Sequence, residues 1–222
     1  MLAALGVFLT VIVIAVWSLI SQDRAIAKFT QDDPSPTPVE GSVPQQEVDG
    51  LRARLDTFSE AAKTGKEATL SLSIHDLNLI IAHTESGKDY REMIYFTGTR
   101  QIRGGGAEDD GVKATKGKQL VARVCLKMNK LKFLGDRYRY LVGEMEFDLR
   151  VVPAGLDLIV TGVRVPEKDV PEQFVGTFVN WHWLTPYNED PELAPIFSAI
   201  REVEVVDGGI VLKSGQKNSK GN

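Results

Sequence analysis

Between Leu120 and Val165 the chain alternates apolar and polar side chains with a period of two, and that period leaves few folds open. Leu120, Ala122, Val124, Leu126 and Met128 share one side of the first run, with Val121, Arg123, Cys125, Lys127 and Asn129 on the other. Gly135-Asp136 is a hairpin signal, and in the returning run Leu141, Met145, Phe147, Leu149 and Val151 form one face. Pro153-Ala154-Gly155 turns the chain once more, into a strand from Leu156 to Val165, and Met93 to Arg103 reads as a strand ahead of the set. Successive strand residues point to opposite faces, so the pattern describes an antiparallel meander with one apolar face that other elements must cover.

Amphipathic helices are the expected cover. Val48, Leu51, Leu55, Phe58 and Ala62 recur at spacings of three and four, which puts them on one stripe of a helix that starts near Glu47 and ends near Gly65. Leu70, Leu72 and Ile74 alternate as a short strand. Ser73 and Asp76 then stand as an N-capping pair for a helix with Leu77, Ile80 and Ile81 inward and Gly87 as its stop. Asp190-Pro191 is a cap followed by a first-turn proline, with Leu193, Ile196, Phe197 and Ile200 as the stripe and Pro195 delaying the start by a turn. Val203–Val206 and Ile210–Lys213 close the chain as a hairpin about Asp207-Gly208-Gly209. The expectation is one α+β domain over residues 47–213, with a polar, disordered tail at 214–222.

The N-terminus bears on location. Residues 1–20, MLAALGVFLTVIVIAVWSLI, carry no charged side chain. A helix of that length spans about 30 Å, the thickness of a bilayer core, and Trp17 suits its interface. The stretch reads as a membrane anchor or a signal peptide. Ala25-Ile26-Ala27 matches a cleavage site, but the missing basic n-region and the length of the apolar run favour an uncleaved anchor over residues 1–22. Residues 23–46 include QDDPSPTPVEGSVPQQ, with Pro34, Pro36, Pro38 and Pro44, which reads as a Pro-rich linker holding the domain off the membrane. A single-pass protein with an extracytoplasmic domain is the expected arrangement, its membrane contact running through residues 1–20.

The search for chemistry excludes more than it finds. A net charge of −4 gives no basic footprint for nucleic acid. The single cysteine, Cys125, rules out an internal disulfide and a multi-cysteine metal site, and it falls mid-strand as a small strand residue. Gly104–Gly106 fails the dinucleotide fingerprint because Asp109 stands where the third glycine belongs, and Gly117-Lys118-Gln119 fails the phosphate-loop pattern. His75 and His83 form no metal motif, and Glu144, Glu146 and Asp148 alternate as the solvated face of a strand. No metal or cofactor is expected.

One stretch remains, Asn180 to Tyr187, NWHWLTPY. If extended, it sends Trp181 and Trp183 to one side and His182 to the other. It reads as an aromatic anchor for a long connection, or as a ligand or lipid contact made by Trp181, Trp183, His182 and Tyr187. Catalysis by His182 has no nucleophile beside it in the sequence.

The succession TLSLSIHDLNLIIA, VTGVRVPEKDVPEQF and LAPIFSAIREVEVVDGGIVL, over residues 65–213, resembles the layout of YpmS-like bacterial envelope proteins, with Asn78 on the first helix. The resemblance implies a small, N-terminally anchored protein with an exported α+β domain, binding to lipid or another envelope component, and no catalytic residues. Two functional expectations follow. The first is a non-enzymatic, membrane-anchored domain that binds a hydrophobic ligand or lipid; the second is a protein-interaction module of an envelope complex. A hydrolase is kept as a third class, to be revived by a nucleophile within reach of a histidine.

Overall fold

The computed structural model describes residues 17, 21, 23–41, 43–102, 117–128, 138–179 and 181–215. Two antiparallel sheets share one hydrophobic core. The expected meander is the larger sheet, with order β2 (Ile94–Gln101), β3 (Lys118–Met128), β4 (Arg139–Val152) and β5 (Gly155–Arg164). The smaller one has the order β1-β7-β6, in which β1 (Ala68–Ser73) pairs with β7 (Gly209–Ser214), and β7 with β6 (Ile200–Val206). Leu120, Ala122, Val124 and Leu126 of β3 face this core, as do Leu70 and Leu72 of β1 and Ile210 and Leu212 of β7. The second sheet thus covers part of the apolar face that helices alone were expected to cover.

Helix α1 (Gln45–Lys63) buries Val48, Leu51, Phe58 and Ala62, the expected stripe. Helix α2 (Ile74–His83) begins on a capping box, in which the Ser73 hydroxyl accepts from Asp76 N and Ser73 N donates to Asp76 Oδ2 at 2.8 Å. Asn78 pins α2 to β2: its Nδ2 donates to Phe96 O at 2.9 Å and its Oδ1 accepts from Phe96 N at 2.8 Å, beside a bulge between Phe96 and Gly98. Further along the chain lie α3 (Glu172–Val179), α4 (Thr185–Asn188) and α5 (Ala194–Ala199). Asp190 Oδ1 accepts from Glu192 N and Leu193 N, one turn before α5 begins, so Pro195 sits in the first turn of a delayed helix.

Three expectations need correction. Residues 23–46 are no free spacer. Residues 23–29 are helical, and Phe29 is 1% exposed, its ring 4.4 Å from that of Phe174. Gln31 bridges Tyr140 through two backbone hydrogen bonds, and the Arg139 guanidinium donates to Ala27 O, Thr30 Oγ1, Thr30 O and Asp32 Oδ1. Beyond it, Thr37 N donates to Glu92 O and Tyr95 OH to Glu40 Oε1, so the Pro-rich segment is a strap across the outer face of the larger sheet. Proline removes donors but does not prevent an extended segment from packing. The tail is also shorter than expected, because Ser214 belongs to β7, where its hydroxyl donates to Lys66 O at 3.1 Å. Asp148 is buried and paired with Arg150 Nε at 2.6 Å, where alternation predicted a solvated carboxylate.

No helix among the described residues is long and apolar enough to cross a membrane. Residues 1–16 and 18–20, on which the anchor expectation rests, lie outside the described residues, as do Gly104–Gly106, Gly135-Asp136 and residues 216–222.

Candidate functional site

Both sheets, α1, α2 and the chain from Trp183 to Ile200 wall a cavity of about 410 Å³. Leu120, Leu149 and Leu158 come from the larger sheet, and Leu70, Leu72 and Leu212 from the smaller. Ile80 and Ile81 of α2 and Ile196 and Phe197 of α5 supply the helical walls. Asp56 is the one charged residue on the wall among the described residues. It is solvent-exposed, as is Ser86, so these two mark a rim between α1 and the turn after α2. Pockets of this size, with mostly aliphatic and aromatic walls, are the usual form of small-molecule sites.

Local sequence explains why the walls stand where they do. Gly87 closes the turn after α2 so tightly that a Cβ there would lie 2.5 Å from Ile81 Cα. Asn188, at the end of α4, donates from Nδ2 to Leu156 O at 2.7 Å and accepts at Oδ1 from Leu156 N at 3.2 Å. That clasp requires Gly155, whose φ is +138° and whose Cβ would come within 2.5 Å of Asn188 Oδ1. Two asparagines thus hold two cavity-lining segments against the backbone of the larger sheet.

The stretch NWHWLTPY is divided by the fold. Trp183 is 8% exposed, lines the cavity, and packs edge-on against Phe147 at 5.8 Å between ring centroids. Tyr187 lines the cavity too. Its hydroxyl donates to Ser86 O, while Tyr90 OH donates to Trp183 O at 2.9 Å, so two phenols tie this segment to the turn after α2. Burial pushes both phenols above their ordinary pKa, and they stay protonated donors at any physiological pH. Trp183 Nε1 is buried with no hydrogen-bond partner among the described residues. A buried donor left in that state costs about 1–3 kcal/mol.

His182 and Trp181 stand apart from the cavity wall. His182 Nδ1 lies 2.6 Å from Asp157 Oδ2, and the His182 side chain is 64% exposed. Asp157 is buried in β5, its other oxygen accepting from Leu158 N at 2.9 Å. The pair fastens the segment to β5. No hydroxyl or thiol hydrogen-bonds to the His182 ring among the described residues, so the pair has no nucleophile to activate. Trp181 is 47% exposed, with its ring 5.1 Å from Phe178 and 5.6 Å from Trp183. The two tryptophans are neighbours, as an extended chain predicts, but the turn at Trp183 buries one and leaves the other at the surface. Asn180 lies outside the described residues.

Sequence reasoning missed most of the wall. Ile80, Ile81, Leu193, Ile196 and Phe197 are legible as helix stripes, yet a stripe facing a cavity has the same period as one facing a filled core. Among the described residues no cluster of histidine, cysteine and carboxylate side chains is placed to hold a metal ion. No protein-family model, curated protein or solved structure matches this chain.

Proposed function

We propose that this is a membrane-anchored, non-enzymatic domain that binds a hydrophobic ligand or lipid in the cell envelope, with the cavity as its binding site. The observation that carries the reading is the cavity itself, about 410 Å³ with a wall of leucine, isoleucine and aromatic side chains. The cavity opens to solvent at the rim of Asp56 and Ser86, so an apolar ligand that enters there removes its own surface and the apolar wall from water together. The 20-residue uncharged stretch at the N-terminus supports the anchor. Residues 23–29, which follow that stretch, are helical and pack on the domain through Phe29.

The test is native mass spectrometry of the full chain, purified without delipidation, beside an Ile196→Trp variant that fills the cavity. A bound mass of lipid or fatty-acid size, lost in a variant with an unchanged circular dichroism spectrum, is the expected result. Bare protein in both samples would sink the reading. A second reading, docking of another envelope protein, draws on Val179 and Trp181, which are 41% and 47% exposed. It predicts that Trp181→Ala loses a partner while ligand binding persists.

A further inference from the structure

Where α1, α2 and the strap meet, one imidazole stands between two carboxylates. His75 Nε2 lies 2.9 Å from Glu47 Oε1 on α1, and its Nδ1 lies 3.4 Å from Glu40 Oε1 on the strap. A neutral imidazole carries one N–H, so it donates to one of these carboxylates and turns a lone pair toward the other. The imidazolium donates to both. When the ring is neutral the shorter contact keeps the single proton, so the Glu40 contact is the one that opens. We infer that His75 is a proton-operated clasp on the strap: the charged ring fastens Glu40 to α1 and α2, and the neutral ring lets that end of the strap lift from the outer face of the larger sheet.

The surroundings make His75 the group that decides. Glu47 faces it from α1 and Glu40 from the strap, while on α2 the neighbouring Asp76 is occupied by Ser73 and Arg54. On β2, Tyr95 OH donates to the same Glu40 Oε1 at 3.0 Å, and the charge of Arg123 on β3 acts on that phenol. Burial and the Glu40 hydrogen bond push the Tyr95 phenol upward, so it stays a donor across the range in which histidine ordinarily changes charge, about pH 5 to pH 8. Tyr95 therefore holds Glu40 in either state, and His75 adds a second tie only when charged. Closing the clasp takes up a proton, so closure is favoured at the acidic end of that range and weakens as pH rises. The segment it secures is the one in which Thr37 N donates to Glu92 O at 2.9 Å and the Ser35 backbone reaches the Cys125 thiol. Lifting it uncovers Cys125 and widens the groove lined by Pro36, Arg123 and Arg164.

The experiment follows amide hydrogen exchange of residues 33–41 by mass spectrometry, in the full chain held in phosphatidylcholine nanodiscs, from about pH 5 to about pH 8. It compares the wild type with His75→Gln, Glu40→Gln and His83→Gln. Taking each variant's rate relative to the wild type at the same pH cancels the intrinsic pH dependence of exchange. His75→Gln should exchange about two- to fivefold faster than the wild type at the acidic end, the size expected of a half-exposed ion pair, and should match it at the alkaline end. Glu40→Gln should lose the pH dependence in the same way while keeping an acceptor for Tyr95 OH. His83→Gln, on α2 outside the clasp, should follow the wild type throughout. A ratio for His75→Gln that is constant across the range, or that grows toward the alkaline end, overturns the inference. So does Glu40→Gln with the wild-type profile, because the proton would then act through α1 without the strap. None of these outcomes depends on what fills the cavity.

Discussion

The Asp76 carboxylate divides its two oxygens between the cap of α2 and a cation on α1. Oδ2 accepts from Ser73 N at 2.8 Å and from the Ser73 hydroxyl at 2.9 Å, while Oδ1 accepts from Arg54 Nη2. Burial alone would raise its pKa. The Arg54 hydrogen bond, the two Ser73 donors and the Arg54 charge outweigh it and hold the carboxyl below its ordinary range. The unfolded chain therefore binds the proton more readily, and stability must rise with pH through this window. The contribution is complete above the ordinary carboxylate pKa and is lost as pH falls through the lower folded value. Urea titrations should show stability falling between about pH 5 and pH 3. Asp76→Asn should flatten that slope and cost about 1–2 kcal/mol at pH 7. An unchanged slope in the variant would mean that another carboxylate governs the acid limb. Ser73 and Asp76 are also the clearest case of a contact legible in the sequence, because both partners of a capping box lie within one turn.

Elements were legible where their partners are local. The α1 stripe, the hairpin partners of the larger sheet and the delayed start of α5 all follow from spacing within a dozen residues or so. The β6–β7 hairpin was legible as well, but its union with β1 into a second sheet was hidden, because β1 pairs with a strand at the other end of the domain, Ala68 opposite Ser214, and periodicity reveals a face but no partner. The Pro-rich segment misled for a related reason: composition says that it cannot form a helix, and nothing in it says that a sheet face awaits it. The candidate site was half legible, since Trp183 and Tyr187 stood out as aromatics while the walls they close look like ordinary core. At this scale the α4 segment acts as a cover held by Tyr187 to Ser86 and by Tyr90 to Trp183. Tyr187→Phe removes one tie and leaves the ring in place. It should destabilise the fold by only about 0.5–1.5 kcal/mol and, on the proposed reading of the cavity, speed release of a bound fluorescent hydrophobic probe about two- to tenfold, measured by stopped-flow displacement. An unchanged release rate with normal affinity would place the ligand's exit elsewhere.

For the whole molecule, the segment that joins the apolar N-terminus to the domain is part of the domain. Phe29 sits in the common core and packs against Phe174, which meets Phe178, which meets Trp181, so a continuous aromatic row leads from the helix at residues 23–29 to the exposed tryptophan. The strap then covers Cys125, whose thiol burial pushes upward in pKa and keeps protonated and inert. The packing predicts where the chain can be cut. A chain beginning at Asp23 retains Phe29, the acceptors of Arg139 and the strap, and should unfold with the stability of the full domain. A chain beginning at Glu47 loses all three: Arg139 keeps its charge without its four acceptors, the Phe29 site opens, and the outer face of β3 is exposed. Losing Phe29 alone, as in Phe29→Ala, should cost about 3–5 kcal/mol, and the Glu47 chain should lose more than that or fail to fold. Cys125 reports the difference without a denaturant. Its reaction with an aromatic disulfide reagent should be slow in the Asp23 chain and at least tenfold faster in the Glu47 chain. Equal protection in both chains would mean that residues 23–46 lie on a domain complete without them, and the apolar N-terminal stretch would then be joined to it loosely.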